Sequence, residues 1–270
     1  MLSPKHAARL HIFFLCAGVS FCSASHAQER CSVEVKLLLS PMETQTARST
    51  LNVKKEVVGF VYFFDTDSLD LLAKGVILRL RRGADSDLTI KLRPPHGEKF
   101  FATSGDDEDF KCEADFTGDG AQLSYSIRRK YTEEQLAETG GDISHLLSQR
   151  QNKLLKEAHI SIDWSRVRRV VEIKSTTWET RAPAEIRKLT LEAWEWPDGK
   201  LLELSTRVRV DDGPPAYAEL QKLANANGLS LSPFQGLKTR IVLESVTRKS
   251  KIVHQGVCRV GRISSWHCSN

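Results

Sequence analysis

The chain has 270 residues, 40% of them hydrophobic, with 39 Lys and Arg against 34 Asp and Glu. This is the composition of one soluble domain with room for a substantial core, and it excludes repeats and low-complexity architecture. A formal net charge of +5 is mild; no nucleic-acid partner is evident from it.

The first residues differ from the rest. Lys5 and Arg9 precede the apolar run HIFFLCAGVSF, and Ser25-His26-Ala27 closes it with small residues where a signal peptidase cuts. Met1 to Ala27 therefore reads as a cleavable secretory signal. The run is shorter than the roughly 20 residues that span a bilayer, so a stable membrane anchor is the weaker reading. Phe21 before Cys22 argues against a lipoprotein. A secreted or periplasmic location is expected, with residues 28–247 forming the functional domain and 248–270 a basic tail.

Removing the signal leaves 37 basic and 34 acidic residues and four cysteines, Cys31, Cys112, Cys258 and Cys268. In an exported protein these favour two disulfides, with three possible connectivities. Cys258 with Cys268 would close a small tail loop, and Cys31 with Cys112 would tie two strands. No CxxC or HxxxH spacing supports a zinc site.

In chain order, CSVEVKLLLS sets Val33 and Val35 against Ser32, Glu34 and Lys36, the alternation of a strand with one apolar face. Ser40-Pro41-Met42-Glu43 has the form of a capping box with proline at the first helical position. Then comes YFFDTDSLDLLAKGVILRLRR, the most structured stretch of the sequence. Asp65, Thr66 and Asp67 offer oxygens to cap a helical turn over LDLLAK, and Gly75 can end it in the left-handed region. In the strand that follows, Val76, Leu78 and Leu80 oppose Ile77, Arg79 and Arg81. Two guanidiniums on one strand face suit phosphate oxygens, which accept bidentate hydrogen bonds; a solvated face is the plainer alternative.

DLTIKLRPP predicts a strand with Thr89, Lys91 and Arg93 on one face, and residues 96–109 a polar loop. KCEADF places Lys111, Glu113 and Asp115 together. Helices are expected from Thr132 to Gly140-Gly141 and from Asp142, the latter carrying Ile143, Leu146, Leu147, Leu154 and Leu155. VRRVVEIKSTTW offers Glu172 and Lys174, KLTLEAWEW offers Glu192, and a turn at Pro197-Asp198-Gly199 leads into LLELSTRV with Glu203, Ser205 and Arg207. A helix is expected from Pro215 to Asn227, ending at Gly228, and a last strand over LKTRIVLES with Lys238.

At least six strands thus pair an apolar face with one carrying both signs of charge. A sandwich with its polar face in water accounts for this. So does a closed barrel whose apolar faces lie outside under helices while the charged faces line a tunnel.

The same residues resemble, in order, the motifs of the CYTH family, the triphosphate tunnel metalloenzymes, from about Cys31 to Leu243. Ser32 to Lys36 is similar to the family's ExExK strand, Tyr62 to Thr66 to YFDT, and Leu78 to Arg81 to LRxR. Thr89 to Lys91, Lys111 to Asp115, LTLEAW, LLELS and the KTR at Lys238 follow the later motifs. The resemblance implies an α+β fold, an eight-stranded antiparallel barrel with helices packed outside. It implies metal-dependent hydrolysis of a triphosphate or short polyphosphate with Mg²⁺ or Mn²⁺. By position, Arg79, Arg81, Lys91 and Lys238 would grip phosphates, Glu34, Glu113, Asp115, Glu192 and Glu203 would hold metal, and Lys36 would orient water. Ser32 and Ser205 stand where the motifs carry acids, and Thr176 and Thr177 where an arginine is expected. The second reading is therefore a non-catalytic module that binds an anionic phosphate compound.

Overall fold

A computed structural model describes residues 31–94, 109–118, 120–137, 142–180, 188–209 and 212–255, and their side chains through 247. The expected leader, the polar loop at 96–108, Gly140-Gly141, and Cys258 and Cys268 lie outside the described residues.

Nine strands make up the wall: β1 (Ser32–Leu39), β2 (Lys54–Asp65), β3 (Val76–Arg82), β4 (Ser86–Leu92), β5 (Phe110–Thr117), β6 (Gly120–Tyr131), β7 (Arg168–Thr180), β8 (Leu189–Trp196) and β9 (Gly199–Val208). They close into a barrel in the order β1-β5-β6-β4-β3-β2-β7-β8-β9. The expected eight antiparallel strands are corrected to nine in a mixed sheet, with β1 parallel to β5. Parity requires this. Around a closed ring, an odd number of strands cannot alternate in direction at every seam.

Two strands are missing from the sequence reading, β2 and β6. The inward positions of β6, Ser124, Ser126 and Arg128, alternate with Leu123, Tyr125 and Ile127, a period-two pattern that the reading passed over. Conversely, LKTRIVLES is not a strand. It belongs to α6 (Lys238–Gln255), whose Val242 and Leu243 pack against Val61, Phe63, Ile77, Ile173 and Trp194 inside one end of the barrel. Tertiary burial overrides local β-propensity there.

The remaining helices are α1 (Thr44–Thr50), α2 (Asp70–Ala73), α3 (Glu133–Ala137), α4 (Gln149–Glu157) and α5 (Gly213–Ala226). Outward-facing Val33, Val35, Leu37 and Leu39 of β1, with Leu189, Leu191, Leu202 and Leu204, pack beneath α1 and α5 through Ala47, Leu220 and Ala224. Outward-facing Leu78, Leu80, Leu88, Ile90 and Leu92 meet Ile143, Leu146, Leu154 and Leu155 on the other side. The apolar faces point out under helices, so the alternate residues must point in. Among the described residues no helix is long and apolar enough to cross a membrane.

Local expectations fare unevenly. Asp65 accepts from the backbone N–H of Thr66, Leu71 and Leu72, and Thr66 Oγ1 from Asp70, so α2 is capped as the sequence predicts. Gly75 ends it at φ 73°. The capping box at Ser40 does not form: Glu43 instead accepts from the N–H of Ser230 at 2.6 Å, and only a 3-10 turn over Pro41–Glu43 precedes α1. A true capping box sits at Ser148 and Gln151, at the start of α4.

Candidate functional site

The inward residues of β1, β3, β4, β5, β8 and β9 come together in a chamber of about 140 Å³. It opens into a wider mouth of about 430 Å³, with Glu34, Arg81, Glu192 and Arg207 lining both. Nine of the ten residues singled out in the sequence line the chamber: Glu34, Lys36, Arg79, Arg81, Lys91, Glu113, Glu192, Glu203 and Lys238. The tenth, Asp115, is fully buried behind the lining, where it takes Lys36 at 2.6 Å on one oxygen and Lys91 and Arg93 at 3.0 Å on the other.

Glu172 and Lys174 point away from the tunnel. They are exposed, while Val171, Ile173 and Ser175 occupy the inward positions of β7. The alternation set Arg93, Lys111 and Arg207 on the charged faces without giving them a role, and the structure places all three inside. Arg128, also inside, was passed over; it lies two residues from the inward Ser126, which is the signal that would have found it.

Register explains the layout. Glu192 faces Glu203 across β8 and β9, Lys36 faces Ser205 across β1 and β9, and Arg79 faces Thr89 across β3 and β4. Two directly opposed carboxylates repel, and Lys238 from the first turn of α6 relieves this. Its ammonium contacts Glu192 and lies 2.8 Å from Glu203 Oε1. Glu192 also accepts from Ser175 Oγ at 2.8 Å and Trp194 Nε1 at 2.7 Å.

The charge states follow from these contacts. Burial alone would raise the Glu34 carboxyl, yet Lys36 and Arg207 hold it at about 2. Burial likewise opposes ionisation of Asp115 and Glu192, and their ammonium neighbours hold both well below the usual carboxylate range. Burial works against the charge on Lys36 and Lys238 too, but the carboxylates facing them keep both above the normal lysine value. Lys91 goes the other way: desolvation, only partly offset by Asp115, pulls it down to about 8. Desolvation and the neighbouring Arg81 pull Arg79 down to about 10.

The two sides of the chamber are therefore unlike. On β1, β5, β8 and β9 the acids are neutralised by side chains. On β3 and β6, Arg79, Arg81 and Arg128 form no ion pair among the described residues, and the buried Nε atoms of Arg79, Arg93 and Arg128 have no acceptor. Nine cationic side chains and four carboxylates line the chamber, a surplus that suits an anion.

The expected Mg²⁺ or Mn²⁺ can be tested against the donors present. Such ions take about six oxygen ligands. Of the eight oxygens on the four lining carboxylates, seven already face a cation or donor: Glu34 faces Lys36 and Arg207, Glu113 faces Arg207 and Lys91, both oxygens of Glu192 are taken, and Glu203 Oε1 faces Lys238. Only Glu203 Oε2 lacks a partner. No group of three or more His, Cys, Asp or Glu among the described residues could hold a metal ion. The residues as arranged do not fit a resident divalent ion.

No protein-family model and no curated protein matches the chain. Solved structures do. A candidate adenylyl cyclase from Hippeastrum, described as revealing a dominant triphosphatase activity, superposes with a TM-score of 0.55 at 18% identity, covering 80% of this chain and 95% of that one. A candidate adenylate cyclase from Bacillus halodurans gives 0.53 at 16% identity, covering 78% and 97%. The chain has the CYTH-type triphosphate tunnel fold.

Proposed function

We propose that the protein binds a triphosphate or short polyphosphate in its tunnel and hydrolyses the terminal phosphoanhydride, outside the cytoplasm. The observation that carries the reading is the cationic surplus of the chamber, with Arg79 and Arg81 lacking any carboxylate of their own. Guanidiniums donate bidentately to phosphate oxygens, and a phosphate chain supplies the acceptors that the buried Arg79 Nε lacks. The Cys31–Cys112 disulfide supports an oxidising compartment.

In this reading Arg79, Arg81 and Lys91 hold the chain, and Lys238 fixes Glu192 and Glu203. Lys36 spends two of its three N–H donors on Glu34 and Asp115, which leaves one for a water. Glu203 Oε2 is the open acceptor for that water's proton. The water oxygen bonds to the terminal phosphorus, the bridging P–O bond breaks, and orthophosphate leaves with the shortened chain. Positioning and electrostatics supply the rate.

Phosphate release from tripolyphosphate, nucleotides and long polyphosphate tests this. Arg79→Ala and Glu203→Gln are each expected to reduce release by at least about a hundredfold. Unchanged release in both variants would reject the site.

A second reading, a binding module without turnover, is favoured by Ser32 and Ser205. The second of these sets a neutral hydroxyl opposite Lys36. Calorimetric binding of tripolyphosphate with no phosphate released over hours selects it.

A further inference from the structure

We infer that the tunnel captures an oligophosphate chain without a divalent ion, the Arg207 guanidinium standing between Glu34 and Glu113 as a tethered cation. The inference rests on the oligophosphate reading and goes beyond it.

Arg207 projects inward from β9 directly opposite Glu34 in the strand register. Its Nη2 lies 3.0 Å from Glu113 Oε1 and 3.8 Å from Glu34 Oε1. The outer oxygens of the same two carboxylates face Lys36 at 3.0 Å and Lys91 at 3.6 Å. A divalent ion placed between Glu34 and Glu113 would meet three positive groups at contact range, and like charges that close repel strongly in a poorly solvated site. The place where these acids could share an ion is filled by a charge that belongs to the chain.

The neighbouring position tells the same way. Ser205 sits on the same inward face, two residues before Arg207, so β9 offers one carboxylate, Glu203, followed by a hydroxyl and a guanidinium. A metal in such a tunnel would neutralise the acids and bridge them to phosphate. Here Lys36, Arg207 and Lys238 perform the first task, and the unpaired guanidiniums of β3 and β6 perform the second. Arg207 has a side chain 54% exposed and lines both the mouth and the chamber, so it stands where the chain enters and can swing onto a phosphate.

Two titrations of the full chain decide the matter. Calorimetry with tripolyphosphate in EDTA and in Mg²⁺ is expected to give dissociation constants within about threefold of one another. Mn²⁺ alone, followed by electron paramagnetic resonance, is expected to show no saturable site below about 1 mM. In Arg207→Gln, Glu34 and Glu113 lose their shared cation. A saturable Mn²⁺ site should appear, while tripolyphosphate affinity in EDTA falls by about tenfold or more. A merely structural arginine would not create a metal site on removal. Loss of more than about thirtyfold in affinity on adding EDTA, or a saturable Mn²⁺ site in the unaltered chain, overturns the inference and leaves the oligophosphate reading standing. Failure to bind tripolyphosphate in either buffer overturns both.

Discussion

The Lys36 ammonium lies 2.6 Å from Oδ1 of the fully buried Asp115, across the parallel seam between β1 and β5. Removing that carboxylate leaves Lys36, Lys91 and Arg93 facing one another without their common counter-charge. Asp115→Asn should therefore cost about 3–5 kcal/mol, the usual penalty for breaking one partner out of a buried ion pair. Urea unfolding measures it, and a loss below about 1 kcal/mol would show that the cluster tolerates its own repulsion.

Arg79 should behave in the opposite sense. Its part-buried guanidinium has a single hydrogen bond among the described residues, to Thr89 at 3.3 Å, and desolvation already disfavours its charge. Arg79→Met is expected to raise the melting temperature by a few degrees, about 1 kcal/mol, while abolishing most of the affinity for tripolyphosphate. A variant that loses both stability and affinity would mark Arg79 as structural.

Lys91 sets a pH limit. Its folded value of about 8 lies below the ordinary lysine value of 10.5, so the charge is held at a cost in the empty tunnel. Between these values the unfolded chain binds more protons than the folded one, and this residue's contribution to stability rises with pH. Affinity moves the other way. As pH goes from 7 to 9 the charged fraction of Lys91 drops, and tripolyphosphate binding should weaken by up to about tenfold. Lys91→Met should flatten that profile, as read by calorimetry at several pH values.

At the acid end, Glu34 is held at about 2 against an ordinary 4.5. It contributes stability that is fully present above the ordinary value and is lost as pH falls from there towards 2. Glu34→Gln should shallow the acid-unfolding curve over that window, measured by circular dichroism.

The Cys31–Cys112 bridge closes a loop 81 residues long in sequence and extends the parallel seam by one more link. Reduction, or Cys31→Ser with Cys112→Ser, should lower stability by about 2–4 kcal/mol without moving the tunnel residues. Thermal unfolding with and without reductant checks this.

Much of the site could be read from period-two alternation, because burial of one strand face fixes the other. Val76, Leu78 and Leu80 under the helices put Arg79 and Arg81 inside, and Leu88, Ile90 and Leu92 do the same for Thr89 and Lys91. β6 carries the same alternation, Leu123, Tyr125 and Ile127 against Ser124, Ser126 and Arg128, and pairs with the adjacent β5 as well as β4, so it was legible though unread. The rest of what escaped depended on partners distant in sequence. The stretch at Lys238 has strand-like residues, Ile241, Val242 and Leu243, and its conformation is decided by the apolar barrel end that Val242 and Leu243 fill. The capping box at Ser40 lost its glutamate to Ser230, far along the chain. Strand number is a property of ring closure and leaves no local trace.

Ring closure also governs assembly. β1, the first strand made, is gripped on one side by β5 and on the other by β9, the last strand of the barrel. Contacts so remote in sequence form slowly, and no earlier pair of strands can stand in for them. The cylinder stays open until its final staves arrive. The pocket is thus complete only once the last strand of the wall is free to pair.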